Sequence, residues 1–238
     1  GIPPHPDSAR RVCTHLCALT QLPLITAPHL IEATQDCGAF VQLSGVLKRV
    51  AVKLSKTCND LRLLSSGPRA GLGEINLPAM QAGSSIMPGK VNPVIPEVVN
   101  QIAFEVIGND LTVSFAAEAG QLQLNAFEPI IAHSLFKSVT HLRQGCLILA
   151  ERCVKGITAN EEKLRKSVTG SIGLVTALNP YIGYENATAL AQEALRTGGS
   201  VYDLVIEKKL LEKHELDAIL DPEVLTAPSA LLDIRKNK

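Results

Sequence analysis

The fold is decided by residues 34–65, which read TQDCGAFVQLSGVLKRVAVKLSKTCNDLRLLS. Apolar side chains recur along this stretch at steps of three and four residues: Leu43, Leu47, Val50, Leu54, Cys58, Leu61 and Leu64. This spacing predicts one long amphipathic helix with a continuous apolar stripe. At ~1.5 Å per residue the helix would be about 45 Å long. We therefore expect it to lie along other long helices.

Two further segments show the same helical spacing. Residues 96–118 carry apolar side chains around most of the helix circumference, and residues 128–154 repeat them on one stripe. Sustained alternation of apolar and polar residues, which is typical of strands, is nearly absent. We therefore predict an all-α fold built on a long-helix bundle, with a smaller helical domain after it.

The character of the sequence changes twice along the chain. Residues 65–93 contain five glycines and four prolines and are predicted to form a long loop. Short helical segments follow the last long helix and are interrupted by Pro180, Gly183, Gly198 and Gly199. We predict a bundle domain over residues 1–156, which includes the loop, and a small C-terminal helical domain over residues 157–238.

Composition excludes several classes of protein. The 238 residues include 23 basic and 23 acidic side chains, and 46% are apolar although only 3% are aromatic. A neutral chain lacks the basic surface that holds a phosphate backbone, so we expect no nucleic-acid partner. No apolar run approaches the ~20 residues of a membrane helix, and the first residues do not resemble a signal peptide. We expect a cytoplasmic protein with no membrane segment.

The cysteines lie within apolar helical patterns, without a C-x-x-C pair or histidines at ligand spacing. They are Cys13, Cys17, Cys37, Cys58, Cys146 and Cys153. This pattern favours reduced, buried thiols, and we predict no metal site.

Polar groups are concentrated in residues 83–93, GSSIMPGKVNP. Ser84 and Ser85 present hydroxyl groups, Lys90 adds a cation, and Asn92 adds an amide just before the next helix. Successive backbone N–H groups in a glycine-rich loop, followed by a helix N-terminus, suit an anion. A carboxylate is the simplest anion to expect there.

The same residues also admit a purely structural interpretation. Asn92 is a suitable helix N-cap, Lys90 could be a solvated charge, and the two serines could bond only their own backbone. Residue chemistry alone leaves both interpretations open. Pro93 and Pro96 are tolerated only in a first helical turn, so the next helix is predicted to begin between Asn92 and Pro96.

The stretch GSSIMPGKVNP resembles the signature loop of the fumarase/aspartase superfamily, and its Lys-Val-Asn-Pro ending is similar to the fumarase and aspartase branch. The similarity continues at residues 29–34, 56–72, 93–101, 106–110, 117–125 and 178–184. The stretch at 117–125 resembles aspartases more than class II fumarases. The resemblance implies a homotetramer whose active sites are shared between subunits, with no organic cofactor.

For function, the resemblance implies reversible elimination of ammonia from L-aspartate to give fumarate. It makes Ser84 the general base and assigns binding of the substrate carboxylate to Ser85, Lys90 and Asn92. Glu97 would support catalysis by pairing with a histidine from elsewhere in the assembly, although an acidic residue also simply favours a helix N-terminus. Class II fumarase activity and a non-catalytic, lens-crystallin-like role remain alternatives.

The family's upstream active-site segments are not found in this sequence, which begins with Gly1 instead of methionine. We therefore expect the chain to be the C-terminal half of a longer subunit. Its bundle helices would then lack packing partners. We expect the chain alone to be inactive and to associate.

Overall fold

The computed structural model describes residues 5, 7–67, 69–83 and 89–226. These residues form eleven α-helices, one 3₁₀ turn at Val154–Gly156 and two short strands, β1 (Ile75–Asn76) and β2 (Thr158–Ala159). The helices are α1 (Ser8–Thr20), α2 (Leu30–Gln35), α3 (Gly38–Leu64), α4 (Val94–Glu118), α5 (Glu128–Arg152), α6 (Glu161–Thr169), α7 (Leu174–Ile182), α8 (Tyr184–Thr197), α9 (Val201–Glu207), α10 (Lys213–Ile219) and α11 (Pro222–Thr226). The predicted all-α fold is confirmed.

The chain divides into two compact units. One contains residues up to 65 and residues 77–157, and the other contains residues 66–76 and the chain from residue 158 onward. The first part of the long loop therefore belongs with the C-terminal helices. The domain boundary at 156/157 stays a prediction, because a compact unit need not fold on its own.

In the first unit, α4 runs antiparallel to α3 and α5 and packs against both. Three apolar clusters follow one another along this bundle. Their buried members are Cys37, Val113, Ala116, Ile131 and Leu135 in the first, Ala51, Ala103, Val106 and Leu142 in the second, and Cys58, Val99, Leu149 and Cys153 in the third. The small side chains of Ala51 and Ala103 allow close approach of α3 and α4 at the middle of the bundle.

A buried carboxylate also joins α3 to α4. Asp110 in α4 accepts a 2.8 Å hydrogen bond from the Ser44 hydroxyl, and its other oxygen lies 2.5 Å from Lys48 Nζ. The side chain of Asp110 is only 10% exposed, whereas that of Lys48 is 46% exposed. Because only one axial alignment of the two helices satisfies this carboxylate, the group helps to fix their register.

The first long helix begins later than predicted. Thr34 belongs to the short helix α2, and Asp36 then adopts an extended conformation with ψ of 122°. The Asp36 carboxylate accepts the N–H of Gly38 at 3.1 Å, and α3 begins at that glycine. The prediction of one helix from Thr34 was therefore wrong. A local bond between a side chain and the backbone can end a helix, and the spacing of the apolar residues in the sequence does not reveal it.

The other two long helices lie close to the predicted positions. α4 begins at Val94, between Asn92 and Pro96, and α5 ends at Arg152 before the 3₁₀ turn. On α4, Phe104 and Phe115 are more than half exposed, so the chain buries only part of the apolar surface of this helix. No helix in the described ranges is long and apolar enough to cross a membrane.

The second unit has its own apolar core, formed by α7, α8, α9 and α10. Its fully buried side chains include Leu178, Val201, Val205 and Leu216. Strands β1 and β2 pair antiparallel, with Ile75 opposite Ala159 and Asn76 opposite Thr158. This pairing joins residues 66–76 to the C-terminal helices.

One predicted helix break in this unit was wrong. Pro180 lies inside α7, which continues to Ile182. Gly183, with φ of 80°, ends α7, and Gly198, with φ of 69°, ends α8. A proline near the C-terminal end of a helix removes one hydrogen bond without ending the helix, whereas a left-handed glycine changes the chain direction.

All six cysteines are free thiols. Cys37, Cys58 and Cys153 are buried, as expected, but Cys13 and Cys17 are only partly buried and Cys146 is exposed. The prediction of burial was therefore wrong for the last three. Helical spacing identifies an apolar stripe but not whether another helix of this chain covers it.

Candidate active site

The candidate site lies where the long loop enters α4. Ser84 and Ser85 lie outside the described residues, as do residues 86–88. A Cβ atom placed on Gly83 would lie 3.1 Å from the carbonyl oxygen of Lys90, so these two residues lie side by side. Gly89, with φ of 84°, adopts a left-handed conformation that suits glycine. Gly83, which precedes the serines, and Lys90, which follows them, therefore lie next to each other.

Lys90 and Asn92 are half-buried at this point. No described side chain or carbonyl bonds the Lys90 ammonium or the Asn92 amide. The N-cap position of α4 is occupied by Pro93, and no side-chain capping bond is present. The interpretation of Asn92 as an N-cap is therefore wrong.

The start of α4 offers few backbone donors. The N–H of Val94 donates to the Asn92 carbonyl at 2.9 Å, and Pro96 has no N–H. In this first turn, only the N–H of Ile95 bonds no described backbone carbonyl. Few N–H donors are thus free at the helix start, because Pro96 has none and those of Val94 and Glu97 bond backbone carbonyls. The helix contributes its dipole, and the described side chains here that can donate hydrogen bonds to an anion are those of Lys90 and Asn92.

Glu97 lies in the first turn of α4 and is half-buried. Its backbone N–H donates to the Pro93 carbonyl at 3.1 Å. No lysine, arginine or histidine in the described part of the chain forms an ion pair with its carboxylate. Both interpretations of Glu97, as a residue that stabilises the helix start and as the partner of a histidine from another chain, therefore remain.

A buried amide holds this end of α4 in place. The side chain of Asn100 is almost fully buried and donates to the Ser55 carbonyl at 3.1 Å, to the Ser55 hydroxyl at 2.9 Å and to Asn59 Oδ1 at 3.1 Å. Its oxygen accepts a 3.3 Å bond from the Arg62 guanidinium. Sequence reasoning missed this group, although an asparagine on the apolar stripe of a helix is a signal of a buried polar contact.

A second charged cluster lies farther along α4. Glu105 lies 2.5 Å from Lys137 Nζ and also bonds His141 Nδ1. The Lys137 hydrogen bond, with a smaller contribution from His141, lowers the pKa of Glu105, and partial burial opposes this shift. His141 on α5 therefore has a side-chain partner on α4.

Comparison with known proteins identifies the family. A family described as "Lyase" matches residues 1–108, and one described as "Fumarase C C-terminus" matches residues 174–227. An aspartate ammonia-lyase from Helicobacter pylori is 60% identical over 230 residues, which are 97% of this chain and 49% of that protein. The chain belongs to the fumarase/aspartase superfamily.

Solved structures of this superfamily share the fold. A fumarate lyase:delta crystallin from Brucella melitensis, bound to cobalt, has a TM-score of 0.89 and 52% identity, covering 95% of this chain and 49% of its own. A class II fumarase from Schistosoma mansoni has a TM-score of 0.81 and 34% identity, and the match covers 94% of this chain and 50% of the fumarase chain. The chain therefore spans about half the length of the superfamily members it matches.

Proposed function

We propose that the complete protein is an aspartate ammonia-lyase, which converts L-aspartate reversibly to fumarate and ammonia without an organic cofactor or a metal. The observation that carries the proposal is the position of Lys90 and Asn92. Both are half-buried, lack partners among the described residues, and adjoin a segment that contains two serines. The names and identities of the relatives support L-aspartate as the substrate.

In the proposed reaction, Ser84 removes a proton from the carbon beside the β-carboxylate of L-aspartate. The electron pair moves into that carboxylate, which becomes an aci-form dianion, and then returns as the C–N bond breaks. Lys90 and Asn92 would bind the carboxylate most strongly when it carries the extra charge. Preorganised donors of this kind contribute about 3 kcal/mol each to transition-state stability.

The serine base needs strong assistance. A serine hydroxyl is a very weak acid, so its alkoxide must be stabilised by positive charge and amide dipoles nearby. Among the described lysines and arginines, Lys90 is the nearest in sequence to Ser84. Ser85 would add a second hydroxyl to the carboxylate site. Glu97 would orient or charge a histidine contributed by another part of the assembly.

We infer a cytoplasmic homotetramer with active sites shared between subunits. Phe104, Phe115 and Phe136 are each more than half exposed, and burial against other subunits would remove this apolar surface from water. Six free thiols suit a reducing compartment. Light scattering after size-exclusion chromatography measures the mass of the assembly, and a monomer at micromolar concentration would contradict this inference.

The proposed activity is tested by assaying the complete protein with L-aspartate and L-malate in parallel, with fumarate followed by its absorbance. We expect fumarate to form faster from L-aspartate. Faster turnover of L-malate would support the class II fumarase alternative, and no turnover of either substrate would support a non-catalytic role.

The assignment of the base is tested with Ser84→Ala, and the exposed serine of α6 provides the control Ser167→Ala. We expect Ser84→Ala to lower kcat by about a thousandfold with helical content unchanged, and Ser167→Ala to have no effect. Near-normal turnover by Ser84→Ala would remove Ser84 from the mechanism but leave the choice of substrate intact.

A further inference from the structure

Two thiols on α1 converge on one carbonyl group. Cys13 and Cys17 are four residues apart and therefore lie on the same face of the helix. Each Sγ lies 3.3 Å from the carbonyl oxygen of Leu24. The two sulfur atoms thus share an acceptor and lie no farther apart than twice this distance.

The local backbone holds the Leu24 carbonyl in place. α1 ends at Thr20, and the next residue, Gln21, adopts a left-handed conformation with φ of 57° and donates its N–H to the Cys17 carbonyl at 2.9 Å. This cap reverses the chain, and the N–H of Leu24 donates to the Leu22 carbonyl at 2.9 Å. The segment after the helix therefore returns along α1 and places an oxygen between the two thiols.

The helical spacing of these thiols favours a bridging ion over a disulfide. Residues four apart in a helix have Cβ atoms ~5–6 Å apart. A disulfide needs a Cβ separation of roughly 3.5–4.5 Å, so it would require α1 to unwind. Two metal–sulfur bonds of ~2.3 Å each bridge a wider gap. Rotation of the two side chains is then sufficient.

We propose that Cys13 and Cys17 form a two-thiolate site for a soft monovalent metal ion of the Cu(I) class. Both thiols release a proton, the ion forms two sulfur–metal bonds, and no electron is transferred. The resulting complex carries one negative charge. Thiolate is the ligand type that soft ions prefer in proteins.

The ligand count excludes a closed zinc site at this position. A structural Zn²⁺ is bound by four ligands in a tetrahedron. The described residues contain no group of three or more His, Cys, Asp or Glu side chains that could hold a metal ion. Two thiolates are sufficient for a soft monovalent ion, whose bonds to sulfur are strong and whose coordination number is low.

The other described cysteines are poorer candidates and provide controls. Burial, with a smaller contribution from Cys153, raises the pKa of Cys58 to about 11, so this thiol resists deprotonation. Burial also raises the pKa of Cys153. Cys146 is exposed on α5 and has no cysteine one helical turn away. Replacing Cys146 therefore tests whether a single accessible thiol is enough to bind the ion.

The proposal is tested by anaerobic titration of the intact protein with Cu(I), with bicinchoninate as a competing chelator. We expect one Cu(I) per chain, and a loss of affinity of about a hundredfold or more in Cys13→Ser and in Cys17→Ser. Cys146→Ser should bind within about twofold of the unmodified protein. Circular dichroism checks that each variant keeps its helical content.

The structure of the bound site gives a second measurement. X-ray absorption at the copper edge should show two sulfur neighbours, and affinity should fall as pH falls because protons compete for the thiolates. Unchanged affinity in Cys13→Ser or Cys17→Ser would overturn the proposal. So would a loss of binding that follows Cys58→Ser alone. The result is independent of the proposed lyase activity.

Discussion

The side-chain nitrogen of Asn100 in α4 donates a 2.9 Å hydrogen bond to the hydroxyl of Ser55 in α3. Asn100→Ala would remove this bond and leave the buried Ser55 hydroxyl without this partner. We expect the free energy of unfolding to fall by about 1–3 kcal/mol. Chemical denaturation measures this change. Gln101→Ala, which removes a neighbouring exposed amide, should cost less than about 0.5 kcal/mol; equal costs would contradict the role of Asn100.

Two lysines of α3 allow a comparison of ion pairs. Among the described residues, Lys48→Met leaves the buried carboxylate of Asp110 with the Ser44 hydroxyl alone, whereas Lys56→Met removes an exposed pair with Asp60. We expect Lys48→Met to lower the free energy of unfolding by about 2 kcal/mol. Lys56→Met should lower it by less than about 0.5 kcal/mol. Thermal or urea denaturation distinguishes the two, and a larger cost at Lys56 would oppose this account.

Acid should weaken the contribution of Glu105 to stability. Its pKa is lowered in the folded chain, chiefly by Lys137, so the stabilisation is complete above the ordinary pKa of glutamate and is lost as pH falls through the folded pKa. At neutral pH, the unfolding free energies of the unmodified chain and Glu105→Gln should differ by less than about 1 kcal/mol. This difference should shrink as the pH is lowered from about 7 to about 3, a window that spans the ordinary glutamate pKa of about 4.3.

Lys137→Met serves as the control for this titration, since it removes the main cause of the lowered pKa. In a chain that carries Lys137→Met, the pH dependence of stability contributed by Glu105 should be smaller. A difference that grows as the solution becomes more acidic would mean that the carboxylate is destabilised in the folded chain.

Two glycines should respond oppositely to alanine. A Cβ on Gly71 would lie 2.6 Å from the backbone carbon and oxygen of Ser66, whereas a Cβ on Gly108 in α4 would meet nothing within 4 Å. Gly71→Ala should destabilise by about 1–3 kcal/mol through forced backbone movement. Gly108→Ala should stabilise by about 0.5–1 kcal/mol, because alanine restricts the unfolded chain and favours helix. Urea denaturation measures both changes.

Sequence reasoning succeeded where local rules decide the structure. Prolines 93 and 96 located the start of α4, and periodic apolar residues located α3, α4 and α5 to within a few residues. Lys90 and Asn92 were placed correctly beside that start. The chemistry of these two side chains comes from the resemblance of the loop, and their roles remain proposals.

The features that were missed depend on distant parts of the chain. The contact of Asn100 with Ser55 joins residues on different helices, and β1 pairs with a strand more than eighty residues later. Neither strand has more than two residues, so neither shows a detectable alternation. The exposure of Cys146 was missed for a related reason, since covering of a helix face depends on which other helices reach it.

The polypeptide passes from one compact unit to the other three times, after residues 65, 76 and 157. A shortened gene product that stops at residue 157 would therefore lose β2 and leave β1 without its partner strand. It would also lose Asn160, whose side-chain oxygen accepts a 2.8 Å hydrogen bond from Asn76. Release of either complete unit from the chain would therefore require cleavage at all three crossings.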